Sequence, residues 1–192
     1  MREVTLSTTI DGIDYGPLAG LIGTWEGDSG MDVSPEPDGD DHNPYFETLT
    51  FDAAGDVDNA ETQELVSVRY TQVVTRKRDG KVFHNEAGFL IWDADNQLLM
   101  QTLSIPRGLA LVAGGQVTSA DGATVFIVAA GDGEEQWPIA QSPFLSGQAR
   151  TKYFRHTIEL KGDQLKYQET MNIEIYGSAH EHTDENVLTR VG

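Results

Sequence analysis

The chain contains no cysteine among its 192 residues. That removes disulfide scaffolds, thiolate zinc sites, iron–sulfur clusters and cysteine nucleophiles together, and it fits a reducing compartment. Basic residues are scarce as well: 13 Lys and Arg stand against 31 Asp and Glu, a formal net charge of −18. So acidic a chain repels phosphate backbones and anionic lipid, which argues against nucleic acid and membranes as partners. The same charge keeps a protein soluble in high salt. Long apolar runs are missing, and stretches such as 124–130 are far too short to cross a bilayer. Residues 1–16 carry neither a charged n-region ahead of an apolar run nor a small-residue cleavage site, so a cytoplasmic protein is expected. No GxSxG, P-loop, GxGxxG or HExxH motif is found.

What remains is globular. Hydrophobic residues make up 39% of the chain, with 20 Gly, and its length suits one domain over residues 1–192. Such a chain buries about 70% of its unfolded surface without staples.

The chain reads almost entirely as strands and tight turns. Asp79-Gly80, Asp121-Gly122, Gly162-Asp163 and Asp93-Ala94-Asp95-Asn96 separate alternating stretches, the local chemistry of hairpins. Ten strands are expected, at 23–30, 45–51, 64–76, 82–92, 97–104, 110–115, 123–130, 151–160, 164–175 and 186–191. Parity separates their faces: Leu165, Tyr167, Met171 and Ile173 share one side of their strand, while Lys166, Gln168 and Thr170 share the other. Regular hairpins argue an all-β fold, either a sandwich or a barrel, and ten meandering strands would close into a single ten-stranded antiparallel up-and-down barrel of the lipocalin or fatty-acid-binding kind. A barrel of that width has room for a guest, since eight strands enclose an interior that side chains only just fill. Residues 17–22, opened by Pro17, suit one short helix capping an end. Residues 32–44, with three prolines, and residues 131–147 read as irregular loops. A calcium loop fails at Asp38-Gly39-Asp40-Asp41-His42-Asn43, whose fifth and sixth positions are wrong.

Candidate chemistry rests on five histidines. His180-Glu181-His182-Thr183-Asp184 is the densest cluster; in an extended chain His180, His182 and Asp184 face one way. That arrangement suits a divalent metal or an imidazole aimed into the barrel, and equally a solvated polar segment. His84 stands early in a strand whose parity includes Leu90 and Trp92. His156 belongs to an apolar face beside Phe154 and Ile158, and His42 to the surface. An apolar interior with few polar groups also suits an iron-free carrier of a fatty acid or other lipid.

Gly20-Leu21-Ile22-Gly23-Thr24-Trp25-Glu26-Gly27-Asp28-Ser29-Gly30 is similar to the glycine–tryptophan opening of the nitrobindin family of heme-binding β-barrels. Tyr45-Phe46-Glu47-Thr48-Leu49-Thr50-Phe51 follows, and His84-Asn85-Glu86-Ala87-Gly88-Phe89 is similar to a His-x-Glu-x-Gly-aromatic strand. Gly108-Leu109-Ala110-Leu111-Val112, Gln164 to Tyr167 with Met171, and His182 ahead of Val187 to Val191 complete an ordered set over most of the chain. The resemblance implies heme b, with His182 as the proximal iron ligand and His180, of the same parity, as fallback. It places His84 on the distal side beside Phe83, with Met171 lining the pocket. It implies nitric oxide as a ligand, a ferric-state isomerisation of peroxynitrite to nitrate, and a homodimer.

Overall fold

The computed structural model describes residues 7–36 and 39–192. A hairpin of β1 (Thr9–Ile10) and β2 (Ile13–Asp14) leads into a 3-10 helix, Gly16–Leu21. Then follow β3 (Gly23–Gly27), β4 (Met31–Glu36), β5 (Gly39–Ala60), β6 (Gln63–Arg76), β7 (Val82–Asp93), β8 (Leu98–Ile105), β9 (Leu109–Ala120) and β10 (Ala123–Gly131). The chain ends with β11 (Ile139–Gln141), the helix α1 (Pro143–Gln148), β12 (Ala149–Lys161), β13 (Gln164–Ile175) and β14 (Ser178–Arg190). Ten strands run in the order β10-β12-β13-β14-β3-β5-β6-β7-β8-β9, and β9 pairs back onto β10. The expected ten-stranded antiparallel barrel is therefore closed, with β4 added to β5 and β11 to β9.

The turns form for the reasons their residues give. Asp121 and Gly122 both have positive φ, 50° and 76°, as a two-residue hairpin turn requires. Asp93 accepts from the Asn96 backbone N–H and side-chain amide, at 3.0 Å each, and so closes the β7–β8 turn.

The expected apical helix is present as a 3-10 turn with Pro at its start. Leu18 and Leu21 from it are fully buried, and Trp25 Nε1 donates to Leu21 O at 2.8 Å. This apolar plug closes one end of the barrel.

Two expected loops are otherwise. Over 32–44, β4 pairs with the start of β5 from Met31↔Pro44 to Glu36↔Gly39; residues 37 and 38, with Asp38 of the rejected calcium loop, lie outside the described residues. Pro35 is admissible here because β4 is an edge strand, where a missing N–H breaks no ladder. Asp32 and Asn43 turn inward, and Asn43 Nδ2 donates to Asp32 Oδ2 at 3.4 Å. Over 131–147 the chain forms β11 and most of α1, whose Ser142 cap accepts from the Leu145 N–H. A third difference concerns the last strand, which begins at Ser178, so the histidine cluster lies within it.

Candidate functional site

Alternate residues along each strand stack the barrel interior in layers. Nearest the helical plug lie Trp25, Trp92, Leu99, Leu160, Leu165 and Leu188, all buried. Further from the plug, the inward positions become polar: Glu47, Gln72, Glu86, Gln101 and Asn186 are buried. Beyond them, at the end away from the plug, come His84, His182 and His180.

The polar layer contains two hydrogen-bonded chains. In the first, Glu47 accepts from Gln72 Nε2 at 2.7 Å, Asn186 Nδ2 at 2.7 Å and the Tyr167 hydroxyl at 3.0 Å. Tyr45 lies 3.2 Å from that hydroxyl and donates to Asp184 Oδ1 at 2.5 Å. In the second, the Tyr70 hydroxyl donates to Glu86 Oε1 at 2.6 Å and accepts from Gln101 Nε2 at 2.8 Å. Gln101 Oε1 is then the acceptor for His156 Nδ1 at 3.1 Å, which fixes the proton on that nitrogen. A cavity of about 10 Å³, room for about one water, lies between the chains among Tyr70, Gln72, Gln101, His156 and Tyr167. A larger depression of about 420 Å³ opens around Asp132, Lys152, Tyr153 and Glu174 and shares no residue with either chain.

Burial governs the protonation of this layer. It pushes the carboxyls of Glu47 and Asp184 up, against hydrogen bonds from Asn186 and Tyr45 respectively that favour the charge. Glu169 is raised well above the carboxylate range by burial and then by the neighbouring charge of Glu86. His156 is pushed down to about 4 by burial, so its ring is neutral at physiological pH.

His182 faces inward, opposite Met171 in the β13–β14 register. Its Nδ1 lies 3.2 Å from the Val33 carbonyl of β4, and its Nε2 lies 3.7 Å from Asp32 Oδ1. A carbonyl on Nδ1 fixes the proton there and leaves the Nε2 lone pair for a metal, the usual support of a ligating histidine. The donor therefore suits heme iron, which at Nε2 would take the place of the Asp32 contact. His180, opposite Ile173, has the same parity, and its buried Nε2 has no hydrogen-bond partner among the described residues.

His84 enters from the opposite side of the barrel on β7, its Nε2 3.5 Å from Glu86 Oε2. Burial works against its charge, but Glu86, Asp184 and Glu47 prevail and hold its pKa above the ordinary value. Charge on either His182 or His84 favours the ionised form of Asp184, so the three groups are electrostatically linked. Met171 is buried. Phe83 stands where the β6–β7 register shifts, between His84, paired with Val74, and Val82, paired with Thr75, and it packs its ring edge-to-face against buried Tyr45, with centroids 6.3 Å apart.

Among the described residues no three His, Asp or Glu side chains are grouped to hold a bare metal ion, and the segment 180–184 is strand rather than a solvated loop. The polar layer itself went unread in the sequence. Its signal was present: Glu47, between Tyr45 and Leu49, and likewise Glu86 and Asp184 occupy positions of inward parity, where a charged residue needs a reason.

No curated protein matches the chain. Among solved structures it resembles Rv2717c from M. tuberculosis, with a TM-score of 0.69 at 20% identity over 93% of this chain and 100% of that one. At that identity the likeness bears on the fold. The model of the THAP4-like, heme-binding beta-barrel domain matches residues 14–190, and the inward histidines lie where the layering leaves a polar end. The chain belongs to this family of heme-binding β-barrels, the nitrobindins.

Proposed function

We propose that the chain binds heme b through Nε2 of His182, takes up nitric oxide, and in the ferric state isomerises peroxynitrite to nitrate. The observation that carries the reading is the inward His182 with Nδ1 held by the Val33 carbonyl. Bound iron supplies the redox centre, and a single imidazole ligand leaves it one position for a small ligand. The protein contributes the rest. His182 retains the group, Met171 fills the wall beside it, and His84 offers a polar partner across the pocket. The polar layer favours this reading over an iron-free fatty-acid carrier, whose acyl chain needs an apolar lining.

Hemin titration followed by absorption spectroscopy tests it. A saturable shift of the Soret band is expected for the wild type, with stable binding lost in His182→Ala. Retention in His182→Ala together with loss in His180→Ala would move the ligand by two residues. Hemin that stays spectrally free in the wild-type protein would refute the proposal.

A further inference from the structure

Glu86 is the most enclosed carboxylate near the histidines, with a side chain only 1% exposed. One of its oxygens is taken: Oε1 accepts from the Tyr70 hydroxyl at 2.6 Å. The other, Oε2, is buried without a hydrogen-bond partner among the described residues and faces His84 Nε2 at 3.5 Å. Tyr70 has a single proton, and its lone pairs already receive Gln101 Nε2 at 2.8 Å, so the tyrosine can serve Oε1 alone. Among the described residues the nitrogen that faces Oε2 is His84 Nε2, and Glu169 from β13 is the other group under the influence of the Glu86 charge.

We propose that Glu86 positions His84, drawing an Nε2–H toward Oε2 and leaving Nδ1 as the nitrogen available to a small ligand in the pocket. A consequence follows from imidazole chemistry. With Nε2–H committed to the carboxylate, a neutral ring presents only a lone pair at Nδ1, and it becomes a donor there only as imidazolium. His84 thus switches from acceptor to donor on protonation. The charged groups acting on the ring are Glu86 on its own strand, Asp184 from β14 and Glu47 from β5; all three are acidic and favour the donor form. The inference rests on the proposed heme site for its significance, but not for its measurement.

The test uses the heme-free full chain, labelled with nitrogen-15, and follows the His84 ring by NMR across pH. In the wild type, the neutral ring should be the Nε2–H tautomer, with a midpoint above that of a free histidine. In Glu86→Gln the Tyr70 hydroxyl keeps the amide oxygen, so the amide N–H₂ faces His84. The neutral ring should then become Nδ1–H, and its proton dissociation constant should rise about tenfold or more, since one pH unit is one decade. Glu86→Asp, which keeps the charge, should restore the Nε2–H tautomer. A wild-type Nδ1–H tautomer, readable even if a variant does not fold, would overturn the inference. So would a Glu86→Gln protein that titrates like the wild type. Failure of the wild type to bind hemin would instead remove the heme reading and leave this result standing.

Discussion

His156 illustrates how much a single buried ring can do to acid stability. Its folded pKa, about 4, lies below that of an unfolded histidine. The unfolded chain therefore takes up a proton first, and stability present above the unfolded value is lost as pH falls toward the folded one. The difference between pH 7.5 and pH 5 is about 2 kcal/mol. Chemical denaturation of His156→Gln at both pH values should show a decline smaller by that amount than in the wild type. An equal decline would mean that the ring is hydrated in the folded protein. Parity alone places this residue on an inward face, beside Phe154 and Ile158. What parity could not supply was its partner: Gln101 comes from β8, 55 positions away, and only barrel closure brings the two together. The same holds for His84 and His182, whose common neighbour Asp184 becomes apparent only when β7 and β14 face each other across the interior.

The strand β7 carries the clearest correspondence between motif and architecture. In His84-x-Glu86-x-Gly88 the three named residues share the inward face, and each has a separate task. Gly88 stands opposite Tyr70 in the β6–β7 register. A Cβ there would come within 1.8 Å of the Thr102 carbonyl on β8 and 3.0 Å of the Tyr70 ring. The missing side chain lets the ring lie over β7, and the Tyr70 hydroxyl then reaches Glu86. Gly88→Ala should therefore destabilise the fold by about 1–3 kcal/mol, the range for overpacking a filled site. Urea midpoints measure this, and an unchanged midpoint would show that β7 and β8 separate without penalty. Strands such as β7 and β13 were legible because alternation and turn residues agree. The stretch 32–44 was not, because prolines and acids mark a loop unless an edge position makes them harmless.

For the whole molecule, the balance of −18 has an inner as well as an outer side. Glu47, Glu86, Glu169 and Asp184 lie along the inward faces, and burial and mutual repulsion favour protons on Glu47, Glu169 and Asp184. Closure of the wall is uneven too. β13 and β14 match from Gln164↔Thr189 to Ile175↔Ser178, whereas β14 meets β3 only at Thr189↔Glu26 and Arg190↔Trp25. Beside that short ladder, Thr24 N donates to Gly192 O and Val191 N to Thr24 O, at 2.8 Å each. Along the rest of β14, around His182, contact comes from β4, which is paired to β5 instead. The barrel consequently has a seam. Native-state amide exchange should find the β14–β3 junction opening at a fraction of the global unfolding free energy, while the β12–β13 amides stay protected to the global limit. Uniform protection around the barrel would contradict this. The imidazole proposed to hold iron thus sits beside the most sparsely laddered length of the described wall, and a flat guest entering there would leave the remaining ladders intact.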